Sequence, residues 1–103
     1  MKYLGKMVEY SYEVGEAYSI KFSQNHCTWL CTQGNMKGAT GDELYSATEV
    51  ASNVLFVSWL EGNGEVVSLV LNFDEMRIYC SYVEPAQGRH QWEGTISYWG
   101  PIK

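Results

Sequence analysis

Apolar and polar residues alternate along most of this chain, and Gly, Asn, Asp and Pro interrupt the alternation at intervals of roughly 12 residues. A period of two places successive side chains on opposite faces of a strand. In Val8-Glu9-Tyr10-Ser11-Tyr12-Glu13, the residues Val8, Tyr10 and Tyr12 share one face, which the pattern directs inward. Val14-Gly15-Glu16 turns the chain, and Tyr18, Ile20 and Phe22 then alternate with Ser19, Lys21 and Ser23, so the two segments predict a hairpin. After Gln24-Asn25 comes His26 to Thr32, whose residues suit a pleated surface with either face pointing inward.

Gly34 to Asp42 contains three Gly and little periodicity, which predicts a loop or irregular edge, followed by a weak strand from Leu44 to Val50. The clearest hairpin joins Val54 to Glu61 with Glu65 to Phe73 across Gly62-Asn63-Gly64, whose residues tolerate positive φ. Asp74-Glu75 leads into a strand from Met76 to Val83, and Glu84 to Arg89 forms a loop. A last strand runs from about His90 to Trp99, with Trp92, Ile96 and Tyr98 on one face. No segment carries a helical period. About eight strands in a meander predict an all-β fold, a single antiparallel up-and-down barrel over residues 1–103, because closure removes exposed edges. An open sandwich is the alternative.

Composition narrows the function classes. Four Trp, eight Tyr and three Phe exclude a disordered chain. Seven Lys and Arg, scattered among 12 Asp and Glu, form no positive patch, so nucleic acid is not an expected partner. No apolar run reaches the roughly 18 residues of a membrane span and MKYLGKMVEYSY lacks a signal-peptide core, so no membrane partner and a cytoplasmic address are expected. Cys27, Cys31 and Cys80 are too few and too dispersed for a disulfide framework and read as reduced, small apolar residues.

Neither His26 nor His90 lies in metal-ligand spacing, and no nucleophile elbow, Walker loop or dinucleotide fingerprint occurs, so neither a metal nor a cofactor is expected. The candidate chemistry lies in Tyr10 and Tyr12, two phenols on one inward face. A buried hydroxyl without a partner costs a few kcal/mol, so such phenols bond each other, a water or a ligand oxygen. They could equally be core residues with hydroxyls at the rim. Glu61 follows Trp59 at a strand end, which places a carboxylate at the barrel mouth or, equally, in a solvated turn. Lys37, in the Gly-rich stretch, could cap the same mouth or stand free in solvent. Trp29, Trp59 and Val67 complete the candidate pocket residues.

The segment YSYEVGEAYSI, Tyr10 to Ile20, resembles the tyrosine-pair hairpin of the bacterial phenolic acid decarboxylases, and Val57-Ser58-Trp59-Leu60-Glu61 with Val67-Ser68-Leu69 resembles that family's VSWTE hairpin. The resemblance spans roughly residues 8–82 and extends to the MoaF-like proteins, which share the small lipocalin-like (calycin) barrel. It implies that Tyr10 and Tyr12 hydrogen-bond an oxygen of the ligand, that Tyr18 lines the pocket and that Glu61 handles a proton. The decarboxylases carry an arginine in the Gly-rich stretch after the third strand and a longer C-terminal region; GNMKGATGD has no arginine, and lysine does not replace a bidentate guanidinium.

Three readings follow. The first is a MoaF-like barrel that binds a small aromatic or apolar molecule in an aromatic pocket. The second is a cofactor-free decarboxylase of 4-hydroxycinnamic-type acids, with Glu61, Tyr10 and Tyr12 as its catalytic residues. The third is a structural barrel with a filled core. Alternate apolar residues on the outer face are compatible with a homodimer.

Overall fold

A computed structural model describes residues 1–103 as eight antiparallel strands in one closed barrel, each paired with its neighbours in sequence and the last with the first. The strands are β1 (Lys6–Tyr12), β2 (Ala17–Phe22), β3 (His26–Gln33), β4 (Thr40–Ala51), β5 (Val54–Leu60), β6 (Val66–Asn72), β7 (Arg77–Glu84) and β8 (Gly88–Pro101). No helix is long and apolar enough to cross a membrane. The predicted hairpins are present, with Tyr10 opposite Tyr18 in β1–β2 and Trp59 opposite Val67 in β5–β6.

Three stretches differ from the alternation reading. β4 begins at Thr40, inside the segment expected to be irregular, and pairs with β3 through Trp29 and Gly41. The period is hidden there because the inward positions include Gly41 and Glu43 rather than apolar residues. In β3 the inward face is settled in favour of Cys27, Trp29 and Cys31, while Leu30 is exposed. In β8 the register against β1 shifts between Glu9 and Tyr10, so that Glu9 faces Tyr98 and Tyr10 faces Ile96. The extra residue, Ser97, reverses the phase, and Trp99 rather than Tyr98 joins the core.

The two ends of the barrel are filled differently. At the lower end, which carries both termini and the β2–β3, β4–β5 and β6–β7 turns, Phe22, Leu55, Leu71 and Ile78 are fully buried. Phe73 stacks on Trp99 with ring centroids 4.0 Å apart, and Tyr3 packs edge-on against Phe22. The upper end, with the other four turns, carries most of the remaining aromatics. Close packing below fixes the strands that frame the space above.

Closure between β1 and β8 depends on Gly94, which pairs with Tyr12 on one side and Ile78 on the other. A Cβ at that position would run into the Ser11 carbonyl oxygen and lie 2.8 Å from the Tyr12 Cα. Both are backbone, and neither can rotate away. Gly94→Ala is therefore expected to destabilise the barrel by about 1–3 kcal/mol, as overpacked interiors do, whereas Gly62→Ala, with open space around it, stays near neutral. Thermal melts of the two variants check the difference.

Candidate functional site

The upper half of the barrel encloses a cavity of about 460 Å³ that opens between the turns. Alternation supplies its walls: Tyr10 and Tyr12 from β1, Tyr18 from β2, Trp29 from β3, Trp59 from β5, Val67 from β6, Cys80 and Tyr82 from β7, and Trp92 from β8. The rings contact one another around the wall. Tyr10 meets Tyr12 edge-on at 5.3 Å and stacks with Tyr18 at 5.9 Å, and Tyr12 lies 5.4 Å from Trp92. Tyr18 meets Trp29 edge-on at 6.3 Å. Trp29 can lie across β4 because its partner there is Gly41, where a Cβ would come within 2.7 Å of the indole nitrogen.

The floor is phenolic. Tyr10 and Tyr12 are both buried, and burial, the largest cause, raises both phenols far above their ordinary range. They therefore stay neutral and keep their protons. Both phenols line the cavity together with the Cys80 thiol. Each hydroxyl has one donor and two lone pairs, which gives the floor hydrogen-bonding capacity for a molecule in the cavity.

The rim is acidic. Glu16, Glu61, Glu65 and Glu84 line the mouth together with Met36 and Asn63. Glu16 accepts a 2.7 Å hydrogen bond from the Tyr18 hydroxyl, and Glu61 accepts one of 3.1 Å from Trp59 Nε1. Just beyond the lining, Glu43 accepts 2.9 Å from Trp29 Nε1. Burial pushes Glu61 up to about 7, aided by Glu65 and Glu43 and opposed by the Trp59 donor. His90 Nε2 approaches Glu84 Oε1 to 3.2 Å, although the angle falls outside hydrogen-bonding geometry.

Seven of the eight residues singled out in the sequence line this cavity: Tyr10, Tyr12, Tyr18, Trp29, Trp59, Glu61 and Val67. Lys37 does not; it is exposed in the β3–β4 turn, and its neighbour Met36 is the turn's contribution to the rim. The segment is a tight turn in which Lys37 N donates to Gly34 O, and it projects Met36 toward the mouth. Cys80, Tyr82, Trp92 and the acids Glu16, Glu65 and Glu84 were not singled out. Tyr82 was accessible through alternation from Ile78 and Cys80, whereas the acids sit beside turns, where a carboxylate is ordinarily solvated.

A family model described as MoaF-like matches residues 4–97. Among solved structures, a crystal structure of a "putative beta-lactamase" from Burkholderia vietnamiensis superposes with a TM-score of 0.86 at 21% identity, covering 93% of this chain and 94% of that one. At that identity the likeness concerns the fold. None of the curated proteins compared with the chain matches it.

The position of Glu61 has a stability signature. Its folded value near 7 lies above the ordinary 4.5, so the folded state holds the proton more tightly and stability falls as pH rises from about 4.5 through 7. Solvent at the mouth screens part of this effect. Thermal melts of the wild type are expected to drop by a few degrees across that window, and Glu61→Gln is expected to flatten the drop. A Gln variant with the same pH slope would assign the effect to another group.

Proposed function

The chain belongs to the MoaF-like family, and from that premise we propose that it is a barrel that binds a small, flat molecule in its aromatic pocket. The observation that carries this reading is the cavity of about 460 Å³, within the range of ligand sites and lined by aromatic walls with a few convergent polar groups. A protein that needed its barrel only as a scaffold would gain from filling that space, since voids forgo packing.

Magnitudes set the affinity scale. Burying one ring of about 150 Å² contributes roughly 4 kcal/mol, and one hydrogen bond to a floor phenol adds about 1 kcal/mol. Together they place a single-ring phenol at a Kd on the order of 0.1–1 mM. Titration of 4-ethylphenol is expected to change the emission of Trp29, Trp59 and Trp92 in that range. Val67→Phe, which occupies the cavity, is expected to abolish the change while the barrel still melts cooperatively. Unchanged wild-type emission up to several times 1 mM overturns the reading for phenols.

One observation favours a second reading. A carboxyl group near 7 in the same cavity as two phenols is suited to proton transfer, which supports the decarboxylase-like lyase: Glu61 would deliver a proton to the substrate while carbon dioxide leaves, and Tyr10 and Tyr12 would hold the phenol. Against it, no Lys or Arg lines the cavity to receive a carboxylate. Incubation with 4-coumaric acid, followed by its ultraviolet band, separates the two readings. We expect no turnover at high enzyme concentration; turnover lost in Glu61→Gln would establish the lyase.

A further inference from the structure

We propose that the pocket selects an organic cation, an aromatic or alkyl ammonium whose charged end sits within the glutamate rim and against the indole faces. The inference rests on the pocket reading above and specifies the ligand's charge.

Every charged residue of the lining is acidic. The basic side chains whose partners are known point elsewhere: Arg77 pairs with Glu13 and Glu93 on the outer surface, Lys103 with Glu9, and Arg89 bonds Gln91. Lys6 lies over the Trp99 ring at the lower end. Of the rim acids, Glu84 has a facing imidazole in His90. Glu16 and Glu61 are held by neutral donors, a phenol and an indole N–H. A neutral donor positions a carboxylate without cancelling its charge, so the negative potential of the mouth stays available to a ligand.

The same hydrogen bonds prepare the rings. Trp29 and Trp59 donate their N–H groups at the ring edge to Glu43 and Glu61, and both residues line the cavity. Donation to an anion polarises the indole and enriches the face in electron density, which strengthens its attraction for a cation. Burial and the crowding of Glu61 by Glu65 and Glu43 raise that carboxyl to about 7, and an arriving cation relieves the crowding. The acids do not converge as metal ligands do, since no group of three or more His, Cys, Asp or Glu side chains is arranged to hold an ion. An anionic ligand would have to enter against the rim's like charge and would find no cation inside.

Three probes share one ring and differ in charge: tyramine, 4-ethylphenol and 3-(4-hydroxyphenyl)propionate. At pH 7.5 tyramine is expected to bind about fivefold or more tighter than 4-ethylphenol, with the propionate weakest. Raised salt and the Glu61→Gln/Glu65→Gln variant should both shrink the tyramine advantage; salt tests the same point on the wild type if the variant fails to fold. Equal binding of tyramine and 4-ethylphenol overturns the cation inference and leaves the pocket reading standing. A preference for the propionate also overturns it. Binding of none of the three overturns both.

Discussion

Pairing of β1 with β8 is the constraint from which the rest of the molecule follows. Without it the sheet would be a seven-hairpin ribbon with two open edges and no inside. With it, every inward side chain faces seven other strands across a fixed diameter, and the only freedom left is how that interior is filled. The seam is made possible by a residue with no side chain, Gly94, and by one residue more on β8 than on β1 at Ser97. The first lets the backbones approach; the second turns Trp99 inward, where it stacks on Phe73 and plugs one end.

Because the plugged end is aliphatic and aromatic, it can be dry and close-packed. The other end is built from long residues whose polar tips require partners, namely phenols, indoles and glutamates. Such side chains meet mostly edge-on or tilted and leave space among them. The arrangement has a cost, visible in the upward shifts of Glu61, Tyr10, Tyr12 and Cys80, all caused first by burial. Natural sequences keep such locally unfavourable choices chiefly where the site serves a purpose other than folding.

Much of this architecture is readable in the chain, because alternation is a local signal that closure preserves. Val8, Tyr10 and Tyr12 face inward for the same reason in the sequence and in the barrel. The signal fails where the inward residue is not apolar: Gly41 is small to make room for Trp29, and Glu43 is inward, where it accepts a hydrogen bond from that indole's N–H. It also fails at Ser97, since the bulge arises from the fit of β8 against a strand nearly 90 residues earlier. The acidic rim is illegible for a related reason. Glu16, Glu65 and Glu84 are ordinary turn-adjacent acids one by one, and only ring closure gathers them around one opening.

The hairpin connectivity bears on how the chain reaches this state. Seven of the eight strand pairings join neighbours in sequence, and one joins the two extremities. Local pairings have little loop entropy to overcome, whereas the last must wait until both ends of the chain are brought together. The β1–β8 seam therefore completes the barrel late. Tyr10 and Tyr12, on one lip of that seam, are assembled with the rest of the pocket only when the barrel shuts. The pocket is thus a property of the closed ring rather than of any hairpin within it.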